Sequence, residues 1–187
     1  VALAADDILE AKRQGQTGLI IGAQSPSFLV GYDIESVLEA FCTLGLRVMQ
    51  IGYNYRTFAA DGCFSPANAG LSDTGIELVR LMEKHHVTVD LSHAGERSTL
   101  EAMEMAEKPQ IFSHSNPMGL FRHPRNITDE QAKKCAATGG VIGVSTYNVT
   151  LWDGEHFPTL DTFLNCLCYY CDLVGVEHVG IGLDTTA

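Results

Sequence analysis

Positively charged residues are scarce in this sequence. It has 12 Lys and Arg residues against 23 Asp and Glu, for a formal net charge of -11 over 187 residues. No clustered basic surface is expected, which argues against nucleic acid or an anionic membrane as a partner. The chain also has no apolar run near the roughly 18 residues of a membrane span, and no basic segment followed by an apolar one at its start. We therefore expect no membrane span, no signal peptide and a cytoplasmic location.

The six cysteines do not indicate a disulfide framework, because the chain is too long and too regularly patterned for a small secreted domain. Three of them form the pattern Cys166-x-Cys168-x-x-Cys171, which looks like a metal cluster. The pattern lies within a segment of helical periodicity, residues 160–174, among apolar side chains. We therefore interpret these cysteines as buried helix thiols, reduced in a reducing compartment.

Apolar segments of strand length alternate with segments of helical periodicity along the chain. The predicted strands are near-continuous apolar runs, which is typical of a parallel sheet covered on both faces. The pattern predicts a single α/β domain; six strands fit a doubly wound sheet, whereas an eight-stranded barrel would need two more. The predicted strands are 18–23, 48–52, 87–93, 110–114, 141–146 and 178–183, and the predicted helices are 4–14, 34–44, 72–86, 96–107, 128–137 and 159–174.

Polar residues follow each predicted strand. In a parallel α/β sheet these positions share one edge, and in a barrel they line one mouth. The side chains are therefore expected to converge in space although they are dispersed in the sequence. They are Gln24, Tyr53, Asn54, Ser92, His93, Ser113, His114, Thr146, Tyr147, Asn148 and Asp184.

Two of these residues, His93 and His114, stand at equivalent positions of neighbouring strands. Two neutral imidazoles suit Zn²⁺ or a similar divalent ion. Asp184 is the natural carboxylate at the same edge, either as a ligand or as the group that takes a proton from metal-activated water. The alternatives are two histidines that only cap strands by hydrogen bonding, and an aspartate that caps a following helix.

Arg125 lies in the loop after the second histidine strand and is followed by Asn126. A guanidinium in such a loop can hold a substrate carboxylate through two parallel hydrogen bonds. A surface salt bridge is the alternative interpretation of this arginine.

Six segments of the sequence carry a family resemblance. They are Val48-Met49-Gln50-Ile51-Gly52-Tyr53-Asn54, Asp61-Gly62-Cys63, Gly70-Leu71-Ser72-Asp73-Thr74-Gly75, Val89-Asp90-Leu91-Ser92-His93, Ile111-Phe112-Ser113-His114-Ser115-Asn116 and His123-Pro124-Arg125-Asn126-Ile127. In this order they resemble motifs of the membrane (renal-type) dipeptidases, peptidase family M19 of the amidohydrolase superfamily, and most of all its bacterial members. The resemblance covers the chain from about Gly18 to Asp184.

The resemblance implies a (β/α)8 TIM barrel with a two-zinc site that cleaves dipeptides, including those with a C-terminal D-residue. Matched by motif, His93 and His114 are the histidine ligands of the fifth and sixth strands. Asp184 matches the catalytic aspartate of the eighth strand. The implied substrate-binding residues are Arg125, which matches the arginine that holds the substrate carboxylate, and Asn126, Tyr53 and Asn54.

The sequence departs from the family pattern at three positions. The family's first strand carries a His-x-Asp pair of metal ligands, and no His-x-Asp occurs in this chain. Gln24 stands at the position of the bridging glutamate, where a neutral amide is a poor bridge between two cations. Tyr53 stands where the renal-type enzymes have a substrate-contacting histidine. The resemblance therefore leaves open whether the site holds one zinc ion or two.

The six predicted strands would be the third to eighth of the barrel. Residues 1–187 would then be an internal fragment of a single barrel domain, without the first two strands and the last helix. Such an open edge is expected to lower stability or to pair two copies into a homodimer. The predicted function is hydrolysis of short dipeptides by metal-activated water. The alternatives are a dipeptidase-like barrel that has lost its metals and activity, and an amidohydrolase that acts on a non-peptide amide or lactone.

Overall fold

The computed structural model describes residues 1–29 and 33–184 and has the alternating organisation that the sequence predicts. The helices begin and end within a few residues of the predicted bounds. The elements in chain order are α1 (Ala5–Arg13), β1 (Ile21–Ala23), α2 (Ile34–Thr43), β2 (Leu46–Gln50), α3 (Asp73–Lys84), β3 (Thr88–Asp90), α4 (Glu96–Glu104), α5 (Asp129–Ala137), β4 (Ile142–Val144), α6 (Leu160–Val174) and β5 (Val179–Ile181). Two short 3-10 helices, Asn148–Leu151 and Val176–His178, follow β4 and precede β5.

The three cysteines of α6 differ in their exposure. Cys166 is buried as predicted and Cys171 is half-buried, but the prediction is wrong for Cys168, which is exposed because it lies on the opposite face of the helix from Cys166.

The strands lie side by side in the order in which they occur along the chain. β1 pairs with β2 and β2 with β3, and β4 pairs with β5, all in parallel. Between β3 and β4, Ile111 bridges Asp90 and Phe112 bridges Ile142, also in parallel. These six positions form one continuous row, which we call the strand arc. A doubly wound sheet reverses its strand order, so the sequential order excludes that alternative.

The fourth position of the arc is shorter than predicted. Residues 110–114 were expected to form a strand, but only Ile111 and Phe112 make ladder contacts. The backbone N–H of Ser113 donates to the side chain of Asp90 (3.0 Å), and that of His114 donates to the hydroxyl of Ser92 (3.1 Å). Side-chain acceptors therefore replace the backbone hydrogen bonds of a parallel strand at Ser113 and His114, and the regular strand ends before His114.

The helix ends carry the expected capping residues. Asp33 accepts a hydrogen bond from the backbone N–H of Ser36 (3.0 Å) at the start of α2. At the start of α5, Thr128 and Gln131 satisfy each other's backbone N–H in a capping box. Gly45 ends α2 at a φ of 107°, in the left-handed region that favours glycine. Within the described residues, no helix is both long enough and apolar enough to cross a bilayer.

The core is concentrated at the centre of the strand arc. Met49, Val89, Phe112 and Ile142 are buried there, and every residue of β4 is buried. The outermost strands, β1 and β5, contain no fully buried residue. The centre of the arc is thus a packed scaffold, and the polar residues that follow its strands are held on it.

Candidate active site

His93 reaches the end of the strands through a tight turn after β3. The backbone N–H of Ser92 donates to the carboxylate of Asp90 (3.0 Å), which closes the turn. His93 follows with a φ of 68°, in the left-handed region that few non-glycine residues adopt. Its carbonyl accepts a hydrogen bond from the backbone N–H of Cys63 (2.8 Å). The turn and the loop that contains Cys63 together fix the imidazole at the mouth of the arc.

The two predicted histidines meet at this mouth. The Nε2 atoms of His93 and His114 are 2.9 Å apart, and the ring centroids are 5.0 Å apart. The two residues are only 8% and 6% exposed. Sequence positions 21 residues apart therefore supply one compact pair of imidazoles.

The hydrogen bonds of the other ring nitrogens determine where the protons are. His93 Nδ1 lies 2.8 Å from Asn54 Oδ1, a carbonyl oxygen that can only accept. His114 Nδ1 lies 2.7 Å from Ser113 Oγ, whose hydrogen is donated to Asp90. Both Nδ1 atoms are therefore donors. In the neutral rings, each Nε2 then carries a lone pair that points at the other.

Burial keeps both imidazoles neutral near pH 7. Burial, with Arg125 and His114 adding to its effect, lowers the pKa of His93 to about 3. Burial also lowers the pKa of His114, although the nearby carboxylate of Asp90 opposes that shift. Two facing lone pairs with no proton between them repel each other, so this arrangement favours an electrophile between the rings.

The pair fits a divalent cation in donor type but forms only part of a ligand set. Two imidazoles on a tetrahedral zinc ion would place their nitrogens about 3.3 Å apart, which is close to the distance between these Nε2 atoms. Each Nδ1 donates to an oxygen, as the outer hydrogen bonds of metal-binding histidines do. Within residues 1–29 and 33–184, however, no group of three or more His, Cys, Asp or Glu side chains is arranged to hold a metal.

Arg125 is buried beside the histidine pair. It is 8% exposed, and its Nη2 donates to the carbonyl of His114 (3.3 Å). Burial lowers the pKa of its guanidinium, and no salt bridge among the described residues includes it. A buried cation without a carboxylate partner is well suited to bind an anionic ligand.

A cavity of about 190 Å³ opens next to this guanidinium. Two buried oxygens of its lining residues, Ser115 Oγ and Asn126 Oδ1, have no hydrogen-bond partner among the described residues. The cavity therefore offers one cationic group and several polar atoms to a small ligand. Its lining includes Cys63, His93, Gly95, Ser115, Arg125 and Asn126.

The structure gives the other predicted substrate-binding residues different surroundings. The ring of Tyr53 stacks on His93 with centroids 4.3 Å apart, and Asn54 holds the Nδ1 of the same histidine. Asn126 uses its amide nitrogen to tie the carbonyls of Phe121 (2.7 Å) and Thr150 (2.8 Å). Asn54 and Asn126 therefore position other groups, and a direct contact with substrate stays a prediction for both.

The two predicted residues at the ends of the arc are less constrained. Gln24 follows β1 and is exposed, and no side-chain hydrogen bond among the described residues joins it to the histidine pair. Asp184 follows β5 and is also exposed, with a φ of 57°. Its charge is close enough to influence the pKa values of His114 and Arg125. The structure thus places Asp184 in electrostatic reach of the pair and Gln24 outside its hydrogen-bond network.

Asp90 and Ser113 contact the histidine site, yet the sequence predicts only that Ser113 lies at the edge of the strands and does not single out Asp90. The sequence does contain a signal for each of them. Asp90 is a charged residue inside an apolar strand, and Ser113 repeats the Ser-His pair found at Ser92 and His93. Their cooperation depends on contact between β3 and residues 110–114, which no single-strand pattern reveals.

Comparison with known proteins identifies the family. The chain matches the model of the membrane dipeptidase family, peptidase family M19, over residues 1–186. The dipeptidase tcpJ of Claviceps purpurea is 29% identical over 182 residues, which are 96% of this chain and 42% of that protein. The chain spans about half the length of the curated relatives it matches.

Two solved structures share the fold. An amidohydrolase from Pseudomonas aeruginosa is 35% identical with a TM-score of 0.90, covering 99% of this chain and 56% of that one. A metallo peptidase from Rhodobacter sphaeroides, liganded with a phosphinate mimic of the dipeptide L-Ala-D-Ala, is 23% identical with a TM-score of 0.89, covering 98% and 54%. The strand arc is therefore part of the α/β barrel of this amidohydrolase group. With the family model matched over nearly its whole length, the chain belongs to the membrane dipeptidase family, peptidase family M19.

Proposed function

We propose that this protein is a metal-dependent dipeptidase whose metal is bound in part by His93 and His114. The observation that carries the proposal is the pair of neutral imidazoles whose Nε2 lone pairs face each other 2.9 Å apart, beside a buried arginine without a carboxylate partner among the described residues. Zinc is the expected ion, because imidazole nitrogens at a site of this size suit it. The two histidines supply only part of the ligand set, because no third His, Cys, Asp or Glu side chain among the described residues is grouped with them to hold a metal.

A divalent cation at this site would polarise the scissile carbonyl and lower the pKa of a water molecule. Arg125 would hold the free carboxylate of the substrate, which restricts substrates to short peptides. Asp184 would accept a proton and deliver it to the leaving amine, since it follows β5 at the same edge of the arc. The bound dipeptide mimic of the Rhodobacter sphaeroides protein supports a dipeptide substrate, including one with a C-terminal D-residue.

We also propose that the six positions of the arc correspond to the third to eighth strands of one barrel domain. The coverage of about half of each relative supports this assignment. A cytoplasmic location and a homodimer remain predictions from the sequence.

The first test is hydrolysis of a panel of dipeptides by the zinc-loaded full-length protein. We expect cleavage of at least some L,L- or L,D-dipeptides, lost on treatment with a chelator and restored by Zn²⁺. A zinc-loaded preparation that leaves the whole panel uncut would contradict the assignment.

The second test separates the role of Arg125 from that of a general surface charge. Arg125→Ala should lower kcat/KM for dipeptides roughly 30-fold or more, because a charge-assisted hydrogen bond to the carboxylate is lost. The matched control is Arg122→Ala, which removes an exposed arginine from the same loop and should leave kcat/KM unchanged. An unaffected Arg125→Ala enzyme would point instead to a substrate without a carboxylate, such as an amide or lactone.

A second candidate is a barrel of this family that has lost its metal and its activity. It is favoured by the absence of a three-ligand group among the described residues and by the neutral Gln24. Elemental analysis of the purified protein separates the two candidates. Near-stoichiometric zinc supports the enzyme, and a protein that binds no zinc even at millimolar supply supports the inactive barrel.

A further inference from the structure

Asp90 is a buried carboxylate that neither lines the cavity nor forms a salt bridge among the described residues. It lies at the end of β3 and is 3% exposed. All of its polar contacts are donors. Its Oδ1 accepts from the backbone N–H groups of Ser92 and Ser113 (both 3.0 Å), and its Oδ2 accepts from Gln50 Nε2 (3.2 Å) and Ser113 Oγ.

The contact with Ser113 determines what that hydroxyl can do for His114. A serine hydroxyl has one hydrogen, and Ser113 donates it to the carboxylate of Asp90. The oxygen of Ser113 can therefore only accept from His114 Nδ1, 2.7 Å away. The chain of two hydrogen bonds, from His114 to Ser113 to Asp90, selects the tautomer of His114 that carries its proton on Nδ1.

In the other tautomer of His114, the two histidines would hydrogen bond to each other. With a proton on Nε2, His114 would donate to Nε2 of His93, which lies 2.9 Å away and whose own proton is fixed on Nδ1 by Asn54. His114 Nε2 would then carry a proton and the lone pair of His93 Nε2 would accept it, so neither nitrogen could bind a cation. No other contact of the two rings among the described residues opposes this hydrogen bond.

We propose that Asp90 and Ser113 are positioning residues that prevent His114 from hydrogen bonding to His93 and so keep both Nε2 lone pairs available to a divalent cation. The part of this inference that concerns the cation rests on the proposed function. The part that concerns the tautomer of His114 stands on the contacts of the metal-free protein.

The tautomer can be measured directly in the metal-free full-length protein. Long-range ¹H–¹⁵N NMR spectra at pH 7 distinguish the protonated ring nitrogen from the bare one. We expect wild-type His114 to carry its proton on Nδ1, and Ser113→Ala to move it to Nε2. Ser113→Thr, which keeps a hydroxyl, should restore the Nδ1 form.

Zinc affinity gives the second measurement, by competition with a chromophoric chelator. Ser113→Ala should weaken Zn²⁺ binding 10- to 100-fold, the effect usual for loss of an outer-shell partner of a metal-binding histidine. The matched control is Ser98→Ala. Ser98 is a buried serine of α4 whose Oγ donates to the carbonyl of Asp61 (3.0 Å), and no hydrogen bond among the described residues joins it to either histidine or to Ser113. Its loss should change neither the tautomer nor the affinity by more than about twofold.

The inference fails if Ser113→Ala leaves the proton on Nδ1, or if the Ser98→Ala and Ser113→Ala proteins lose zinc affinity equally. These outcomes are separate from failure of the proposed function. A shift of tautomer in a protein that cuts no dipeptide would support the role of Asp90 and Ser113 and overturn the dipeptidase. Cleavage of dipeptides together with an unchanged tautomer in Ser113→Ala would do the reverse.

Discussion

The centre and the two ends of the strand arc hold their polar residues very differently. At the centre, His93 and His114 are buried, and each uses its Nδ1 to donate to a neighbouring side chain. At the ends, Gln24 and Asp184 are exposed, and no side-chain hydrogen bond among the described residues fixes either of them. All four residues follow strands of the same arc, so the difference comes from their position in it.

Neighbours on both sides produce this difference. β3 has β2 on one side and Ile111 on the other, so the residues that follow it receive donors and acceptors from two directions. β1 and β5 each have one strand partner in the described structure. The strands on either side of a site residue therefore fix its orientation. The residue type alone does not.

The largest loss of stability is expected when a side chain in the packed centre of the arc is truncated. Phe112→Ala should lower the free energy of unfolding by about 3–5 kcal/mol, because the residue lies between β3 and β4 in the arc, its side chain is fully buried, and its loss leaves a cavity. Ile181→Ala, in β5, is the matched change at the end of the arc, where the side chain is 68% exposed. It should cost no more than about 0.5 kcal/mol in the same urea titration. Equal losses would show that the ends are as firmly packed as the centre.

The second-largest effect is a loss of stability of the folded protein at acid pH. The pKa of His93 is about 3 in the folded protein and near 6.5 when the ring is free in water, so below pH 6.5 the unfolded state binds a proton that the folded state does not. The stabilisation is complete above pH 6.5 and is lost as the pH falls towards 3. Between pH 6.5 and 4.5 the free energy of unfolding should decrease by about 2–3 kcal/mol from this residue.

Urea titrations across that pH range, with a chelator present, measure the decrease. His93→Asn should flatten the pH dependence, and asparagine is chosen because it tolerates the positive φ at this position. His156→Asn, at an exposed site, is the control and should keep the wild-type slope. A His93→Asn protein with an unchanged slope would mean that another group carries the acid sensitivity.

The meeting of the two histidines could be predicted from the sequence. His93 and His114 each follow an apolar run, and parallel strands bring such positions to one edge. The sequential strand order could not be chosen over the doubly wound alternative from the periodicity. It depends on which strands pair, and that became visible only in contacts such as those of Ile111 and Phe112.

The finer geometry of the site depends on long-range contacts that no local pattern contains. The predicted strand 110–114 is shortened because Ser113 and His114 donate their amides to the side chains of Asp90 and Ser92. Asn126 was predicted to bind substrate, yet its amide nitrogen ties two carbonyls of its own and a later loop. Such partners lie 20 or more residues away in most of these contacts, so the sequence shows the donor without its acceptor.

Two glutamines provide the smallest and most closely matched contrast. Gln24 directly follows β1 and Gln50 is the last residue of β2, but only Gln50 is buried, with its Nε2 3.2 Å from Asp90 Oδ2. Gln50→Ala should lower the free energy of unfolding by about 1–2 kcal/mol, since it removes a donor from a buried carboxylate. Gln24→Ala should change it by less than about 0.5 kcal/mol. A Gln24→Ala protein that loses as much free energy of unfolding as Gln50→Ala would show that Gln24 makes contacts as strong as those of Gln50. The distinction between the centre and the ends of the arc would then not separate the adjacent strands β1 and β2.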